Sequence, residues 1–307
     1  MRIKLLLVGL SLSLFAGDVI LPITNKVDYD KQKAQIGQEL FFDPILSKDK
    51  TISCASCHKP SHGWADDTKV SYGVGGAKGK INSPTVLNAV YNFKQLWNGG
   101  AKDLKDQVKG PIHNQHEMNM SNEQVEKRLN NNSRYKEEFK EVYHTDHISY
   151  DNVLDAISEF EKTLITPNSK FDKYLKGEVE LTEDEKKGSV LFKSLGCVTC
   201  HNGTNIGGNS FQKIGIVIEY KNCFKDKYEI TKREFDRCVY KVPTLRNIEL
   251  TSPYFHDGSA KTLEGAIKKM SYHNLGFEIE DDKVKYIKAF LKTLTGEITI
   301  GDNYDEK

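Results

Sequence analysis

Little in this chain of 307 residues leans toward one sign of charge or one simple class of fold. Lys and Arg number 44 against 43 Asp and Glu, a net charge of +1, so the balance gives no reason to expect a nucleic-acid partner. After residue 15 no hydrophobic run approaches the length a membrane-spanning helix needs. Strand-like patterns are scarce and confined to residues 214–218. Methionine occurs four times and tryptophan twice. Past the first residue, only Met118, Met120 and Met270 could offer a thioether sulfur to a metal.

The one long apolar run lies at the start. Arg2 and Lys4 precede an apolar core over residues 5–15, and the small residues Ala16 and Gly17 follow. That order is a secretory leader over residues 1–17, too short to span a bilayer. It sends the mature chain to an export compartment, the periplasm for a leader of this bacterial type. The rest suits two domains of ordinary size, 18–166 and 167–307.

Cysteine is sparing, six in all, and four sit in two copies of one pentapeptide. Cys54-Ala-Ser-Cys57-His58 and Cys197-Val-Thr-Cys200-His201 are both Cys-X-X-Cys-His, the attachment signature of c-type haem. Each thiol adds to a haem vinyl group and the histidine supplies the proximal nitrogen to iron. A zinc ribbon would space its pairs by roughly 15–20 residues, far less than here. A redox Cys-X-X-Cys would want a thioredoxin-like context, which the flanks lack. Cys223 and Cys238 are left over, and in an oxidising compartment they are expected to form a disulfide contributing about 3 kcal/mol in the chain-entropy model.

Helical patterns dominate. Residues 151–166 carry Val153, Leu154, Ile157, Phe160 and Leu164 at helical spacing before Pro167. Thr182 and Glu185 form a capping box opening a helix that runs to Gly196. Ser121 with Gln124 starts a polar helix toward Phe139, residues 262–272 form another, and Val284, Ile287, Leu291 and Leu294 stripe a last one that Gly296 stops. Residues 166–181 read as a connection. The fold is therefore expected to be mainly α, two tandem cytochrome c-like helical domains with one covalent haem c each. The Gly- and Asn-rich stretches 71–82 and 202–210 suit chain that wraps a porphyrin. On periodicity alone Met270 continues the buried face of Leu263, Ala266 and Ile267; a haem in this half makes it a candidate partner for His201, and a thioether ligand raises the reduction potential.

Four long blocks carry a more specific resemblance: LFFDPILSKDKTISCASCHKP, INSPTVLNAVYNFKQLWNGG, DQVKGPIHNQHEMNM and VPTLRNIELTSPYFHDGSAKTLEGAIKKM. In order and spacing the chain resembles the bacterial di-haem cytochrome c peroxidases over nearly the whole mature length. The resemblance implies a low-potential peroxidatic haem on Cys54, Cys57 and His58. It also implies a high-potential electron-transfer haem on Cys197, Cys200, His201 and Met270. Gln107 and Glu117 match the family's peroxidatic pocket. Peroxide heterolysis needs a proton moved from one oxygen to the other, which leaves as water, and a glutamate can do both steps while an amide orients the oxygens. Trp97 matches a tryptophan between the haems, a candidate electron bridge. Asn82, Thr251 and Pro253 match a calcium site of one side chain and backbone carbonyls, ligands that suit hard Ca²⁺.

One position departs from the pattern. Many members place a histidine in the Gly-rich loop that caps the first haem at rest; the matching residue here is Val74, which cannot ligate iron. His62, His113 and His116 are the nearby substitutes. The expected function is reduction of hydrogen peroxide by electrons from a small cytochrome c or similar donor, without reductive activation and as a homodimer. Two other readings are a related di-haem oxidase that modifies a partner protein, which places tyrosine where this chain has Met270, and an electron carrier, which needs no Glu117.

Overall fold

The computed structural model describes residues 19–300, so the expected leader lies outside the described residues. These residues form α1 (Lys31–Phe42), α2 (Leu104–His113), α3 (Asn122–Asn130), α4 (Ser133–Tyr143), α5 (Tyr150–Thr163), β1 (Leu164–Ile165), α6 (Lys170–Leu175), α7 (Glu183–Ser194), β2 (Phe211–Lys213), α8 (Tyr228–Thr231), β3 (Val239–Lys241), α9 (Leu263–Met270), α10 (Asp281–Lys292) and β4 (Thr299–Ile300). The fold is mainly helical. Two antiparallel pairs, β1 with β4 and β2 with β3, are its sheets among the described residues. No described helix is long and apolar enough to cross a membrane.

Local chemistry sets most helix ends. Asp30 accepts the N–H groups of Gln32 and Lys33 to start α1, and capping boxes at Ser149 with Asn152 and Thr182 with Glu185 start α5 and α7. Three expectations are corrected. The polar helix from Ser121 toward Phe139 is two helices, because Asn131 closes α3 and the Asn132 side chain accepts the Tyr135 N–H to begin α4. The helix expected through residue 166 stops at Thr163, and the chain continues as β1 against β4. The strand expected at 214–218 lies earlier, at β2. Gly215 turns at φ +77°, and Val217 and Ile218 both donate to the His273 carbonyl instead of extending a ladder.

Each half has its own core, and both are built the same way. α1 crosses α5 so closely that a Cβ on Gly37 would sit 1.9 Å from the Ala156 carbonyl; Gly188 of α7 stands 1.9 Å from the Tyr286 carbonyl of α10 by the same measure. One helical turn on, Phe41 meets Phe160 and Phe192 meets Phe290, each at 5.2 Å between ring centroids. A buried phenylalanine of this kind contributes about 1.5–3 kcal/mol. Each helix crossing then leads into a Cys-X-X-Cys-His turn, with Phe41 6.4 Å from the His58 ring and Phe192 6.4 Å from that of His201. The C-terminal core is further tied by Arg246, fully buried, whose guanidinium grips Asp172 through two 2.9 Å bonds.

The likeness extends through a repeat that the sequence reading did not detect. Pro84, Asn88 and Leu104 recur 159 residues later as Pro243, Asn247 and Leu263, and the same offset sets His256 opposite Trp97 and Met270 opposite Pro111. Asn88 and Asn247 both adopt φ +60° ahead of a 3-10 turn, and both donate a side-chain N–H to the Thr166 hydroxyl, at 2.7 and 2.9 Å. Gln95 bridges Ala101 as Tyr254 bridges Ala260. Thr166 thus stands where the two halves meet. α2 in the first half corresponds to α9 in the second.

Candidate functional site

Around the first motif, Cys54–Ser56 form a 3-10 turn and His58 is held against the backbone of Trp64 and Pro84. Burial keeps the His58 imidazole below its ordinary pKa and so neutral. Glu117 follows the end of α2 in a turn whose first residue, Asn114, donates its side-chain amide to Glu117 Oε1 at 2.6 Å. Burial pushes the Glu117 carboxyl up, and the Asn114 bond opposes part of that rise. Glu117 lies close enough to Cys54 and Cys57 to act electrostatically on both thiols. Gln107 is half-buried on α2, and at helical spacing it shares a face with Pro111 and Asn114.

The Gly-rich loop closes over this turn. Val74 is buried and donates its backbone N–H to the Glu117 carbonyl at 2.8 Å. Gly73 packs so tightly that a Cβ there would fall 2.2 Å from the His116 carbonyl. The three histidines weighed as substitute caps are placed differently. His62 hydrogen-bonds the Ser252 carbonyl across the halves, and His113 bonds Asn122 at 2.6 Å and stacks on Tyr150. His116 is half-buried beside Glu117, and its charge would lower the Glu117 pKa.

The second motif repeats the first without the acid. Cys197–Thr199 form its 3-10 turn, and His201 is buried against the backbone of Ile206 and Pro243, its pKa pushed down to about 4 by that burial. Met270 ends α9 and is half-buried, while Ala266 and Ile267 of the same helix pack on the core. A π-helical turn, Ser271–Leu275, follows it at once. The repeat places Pro111 of α2 where α9 has Met270, so the first half has no thioether at that position.

Aromatic rings from both halves gather around Trp97. Trp97 donates its indole N–H to the Asn82 carbonyl at 2.9 Å and meets its counterpart in the repeat, His256, at 6.2 Å. Tyr240 stacks on His256 at 4.3 Å. Asn82 is buried and bonded to His256 through its backbone, and Pro253 follows a cis peptide bond. Among the described residues no hydrogen bond is made to the Asn82 side-chain oxygen or to the Thr251 and Pro253 carbonyls, oxygens of the kind that suit a hard cation. No group of three His, Cys, Asp or Glu that could hold a metal occurs among the described residues. Cys223 and Cys238 are joined in a disulfide next to this cluster.

Residues 31–180 match the family model of the di-haem cytochrome c peroxidases. The chain is 48% identical over 285 residues to a cytochrome c551 peroxidase of Nitrosomonas europaea, covering 92% of this chain and 85% of that protein. The chain belongs to the di-haem cytochrome c peroxidase family. It is also 45% identical to a cytochrome c peroxidase of Escherichia coli, over 91% of this chain and 61% of that longer protein. A solved MauG-like protein associated with microbial copper homeostasis superposes with a TM-score of 0.79 at 27% identity, over 94% of this chain and 96% of its own.

The residues at both motifs fit the family's two haem c groups. Cys54, Cys57, Cys197 and Cys200 are all outside disulfides, although the same chain oxidises Cys223 and Cys238. His58 and His201 are both buried, and backbone groups of Trp64 and Pro84 in one case and of Ile206 and Pro243 in the other hold each ring from one side, as an axial histidine needs. Neutral imidazole is also the form that ligates iron. Sequence reasoning missed Asn114, which a capping-type Asn-x-x-Glu spacing could have suggested. It also missed Glu161 of α5, 5% exposed, with Oε2 buried and unpartnered and near enough to Cys54 to influence its thiol. No local signal marked Glu161, since it sits inside an ordinary amphipathic helix.

Proposed function

We propose that the protein reduces hydrogen peroxide to water with electrons from a small cytochrome c-type donor, and that it does so without reductive activation. One observation carries this reading. Where many members of the family place a capping histidine this chain has Val74, where α9 has Met270 the repeat has Pro111, and the Val74 N–H is bonded to the Glu117 carbonyl at 2.8 Å.

Cys54, Cys57 and His58 would hold the peroxidatic haem, and Cys197, Cys200, His201 and Met270 the electron-transfer haem. When bound, the two groups supply the redox chemistry and store the oxidising equivalents. The chain's own residues supply the protons and the geometry. Glu117, poised by burial above the ordinary carboxylate range, takes the proton from one peroxide oxygen and returns it to the other, which leaves as water. Asn114 keeps the carboxylate oriented while Gln107 presents a neutral amide to the substrate. Val74 gives an apolar lining that cannot compete for the metal. Trp97, pinned by Asn82, lies between the halves as the electron bridge. Asn82, Thr251 and Pro253 would bind Ca²⁺ and so brace the same junction. Periplasmic location and a homodimer complete the reading.

Glu117→Gln tests it. Donor-linked peroxide consumption should fall by about 10²–10⁴-fold, the usual worth of a positioned acid–base group, with both haem spectra unchanged. Turnover at the wild-type rate would remove Glu117 from the reaction.

A further inference from the structure

Tyr220 is 5% exposed and Asp257 2%, and the two are joined by a hydrogen bond of 2.9 Å from the phenol to Asp257 Oδ2. Burial raises the tyrosine pKa while hydrogen bonds hold Asp257 in its charged form, so the pair is a protonated phenol facing a carboxylate. The arrangement is braced from both sides. Ser259 lies 2.9 Å from the phenol oxygen and accepts from Lys269 at 2.8 Å, and Asn222 donates to the same Asp257 oxygen at 3.3 Å.

The pair is also wired. Tyr220 lies 5.8 Å from His256, which lies 6.2 Å from Trp97, and on its other side Tyr220 meets His273 at 4.9 Å, three residues beyond Met270. Aromatic rings therefore run from Trp97 to the Met270 segment through Tyr220. The peroxidase chemistry proposed above uses none of Tyr220, Asp257 or His273.

Losing an electron from a phenol in a dry interior requires that its proton leave at the same time to a nearby base. Tyr240, in the same cluster, donates to the Phe224 carbonyl, and Trp97 donates to the Asn82 carbonyl; neither acceptor can hold a proton. Two other tyrosines reach carboxylates, Tyr135 to Asp43 and Tyr143 to Asp155, but each has a cation over its ring, Arg134 at 4.4 Å and Lys33 at 5.1 Å. A cation in that position opposes removal of an electron from the ring. Tyr220 alone among these five rings combines the base, the ring contacts and the absence of a stacked cation.

We propose that Tyr220 is a one-electron reserve that protects the protein when peroxide arrives and no donor electron is available. Hydrogen peroxide is the oxidant: in becoming two waters it takes two solvent protons and two electrons from the holoprotein, of which Trp97 gives one and the haem groups would give the other. The phenolic O–H bond of Tyr220 breaks, its electron passes through His256 to an oxidised Trp97, and its proton forms an O–H bond with Asp257. A later electron from the cytochrome donor and return of the proton restore the phenol. The inference rests on the peroxidase reading and adds to it a site outside the turnover path.

The test uses the oxidised holoenzyme mixed with hydrogen peroxide in the absence of donor, frozen and examined by EPR, with donor-linked peroxide consumption measured on the same preparations. Wild type should give a tyrosyl radical. Tyr220→Phe should abolish that signal and shorten survival under peroxide, with donor-linked turnover unchanged. Asp257→Asn, which cannot take the proton, should weaken the signal while the phenol remains. A wild-type protein that turns over peroxide but gives no tyrosyl radical would overturn the reserve and leave the peroxidase reading standing. A signal that survives Tyr220→Phe and is lost in Tyr135→Phe would place the radical elsewhere. No turnover at all would overturn both.

Discussion

Val74 and Glu117 are joined backbone to backbone, N–H to carbonyl, at 2.8 Å. The loop position that carries a capping histidine in many relatives is therefore fastened to the segment that carries the acid. Gly73 enforces the approach, since any side chain there would collide with the His116 carbonyl. With valine at this position the proposed enzyme would have no capping histidine to move aside before peroxide enters.

Restoring the histidine should restore the need for activation. Val74→His is expected to give a low-spin first haem in the oxidised protein and a lag before peroxide consumption that prior half-reduction removes. EPR of the oxidised variant and progress curves from both redox states check this. A Val74→His protein that starts without a lag would show that the position cannot reach the metal.

The pH profile follows from Glu117. Burial holds its folded pKa above the ordinary value, so the carboxylate form needed to take the first proton is present above that raised pKa and is lost as pH falls through it. The acid limb of kcat/KM should therefore lie above the range of a free glutamate. Asn114 donates to the charged form, so Asn114→Ala removes a lowering influence and should move the limb to higher pH. An unmoved limb would mean that another group sets it.

Met270 is expected to set the potential of the second haem. A thioether ligand raises the reduction potential, so Met270→Ala should lower that midpoint in a redox titration while leaving the first centre in place. It should also slow donor-linked turnover more than it slows the reaction of the reduced protein with peroxide. An unshifted midpoint would show a different ligand.

Glu161 makes stability depend on pH. Its buried carboxyl is pushed up to about 8 from an ordinary 4.5, so between those values the folded protein keeps a proton that the unfolded chain releases. The stability it contributes is fully present below the lower value and is lost as pH rises, by about 1.4 kcal/mol per unit until about pH 8. Glu161→Gln should flatten that slope and make the holoprotein more stable than wild type at pH 8. Urea unfolding of both proteins at pH 5 and pH 8 decides it, and parallel behaviour of the two would contradict the assignment.

Much of this was legible along the chain because the signals are local. Capping boxes at Thr182 and Ser121 mark helix starts through contacts three residues long, and each Cys-X-X-Cys-His turn carries its chemistry in five residues. What the sequence concealed depends on distant segments. β2 formed at Phe211–Lys213, not at the more strand-like residues 214–218, because its partner Val239–Lys241 and the His273 carbonyl decide which residues pair. The break at Asn131 and Asn132 turned on which backbone group an amide would choose. The repeat is hidden because its identities, such as Pro84 with Pro243, Asn88 with Asn247, Ala101 with Ala260 and Leu104 with Leu263, are scattered and lie at an offset of 159 residues, whereas the two Cys-X-X-Cys-His motifs lie 143 apart. Tyr220, His256 and Asp257 form one cluster although Tyr220 lies far from the other two in sequence, and Glu161 is indistinguishable from a solvated helix carboxylate until the helix is packed.

With Val74 in place of a capping histidine, the first haem is expected to be open in the resting protein. The direct measurement is the initial rate of hydrogen peroxide consumption with a reduced small cytochrome c donor, started from fully oxidised protein and from protein already reduced by one electron. The same initial rate from both, with no lag, is the expected result. A lag, or no turnover until the protein is half-reduced, would contradict it and show that some group covers the first haem despite Val74.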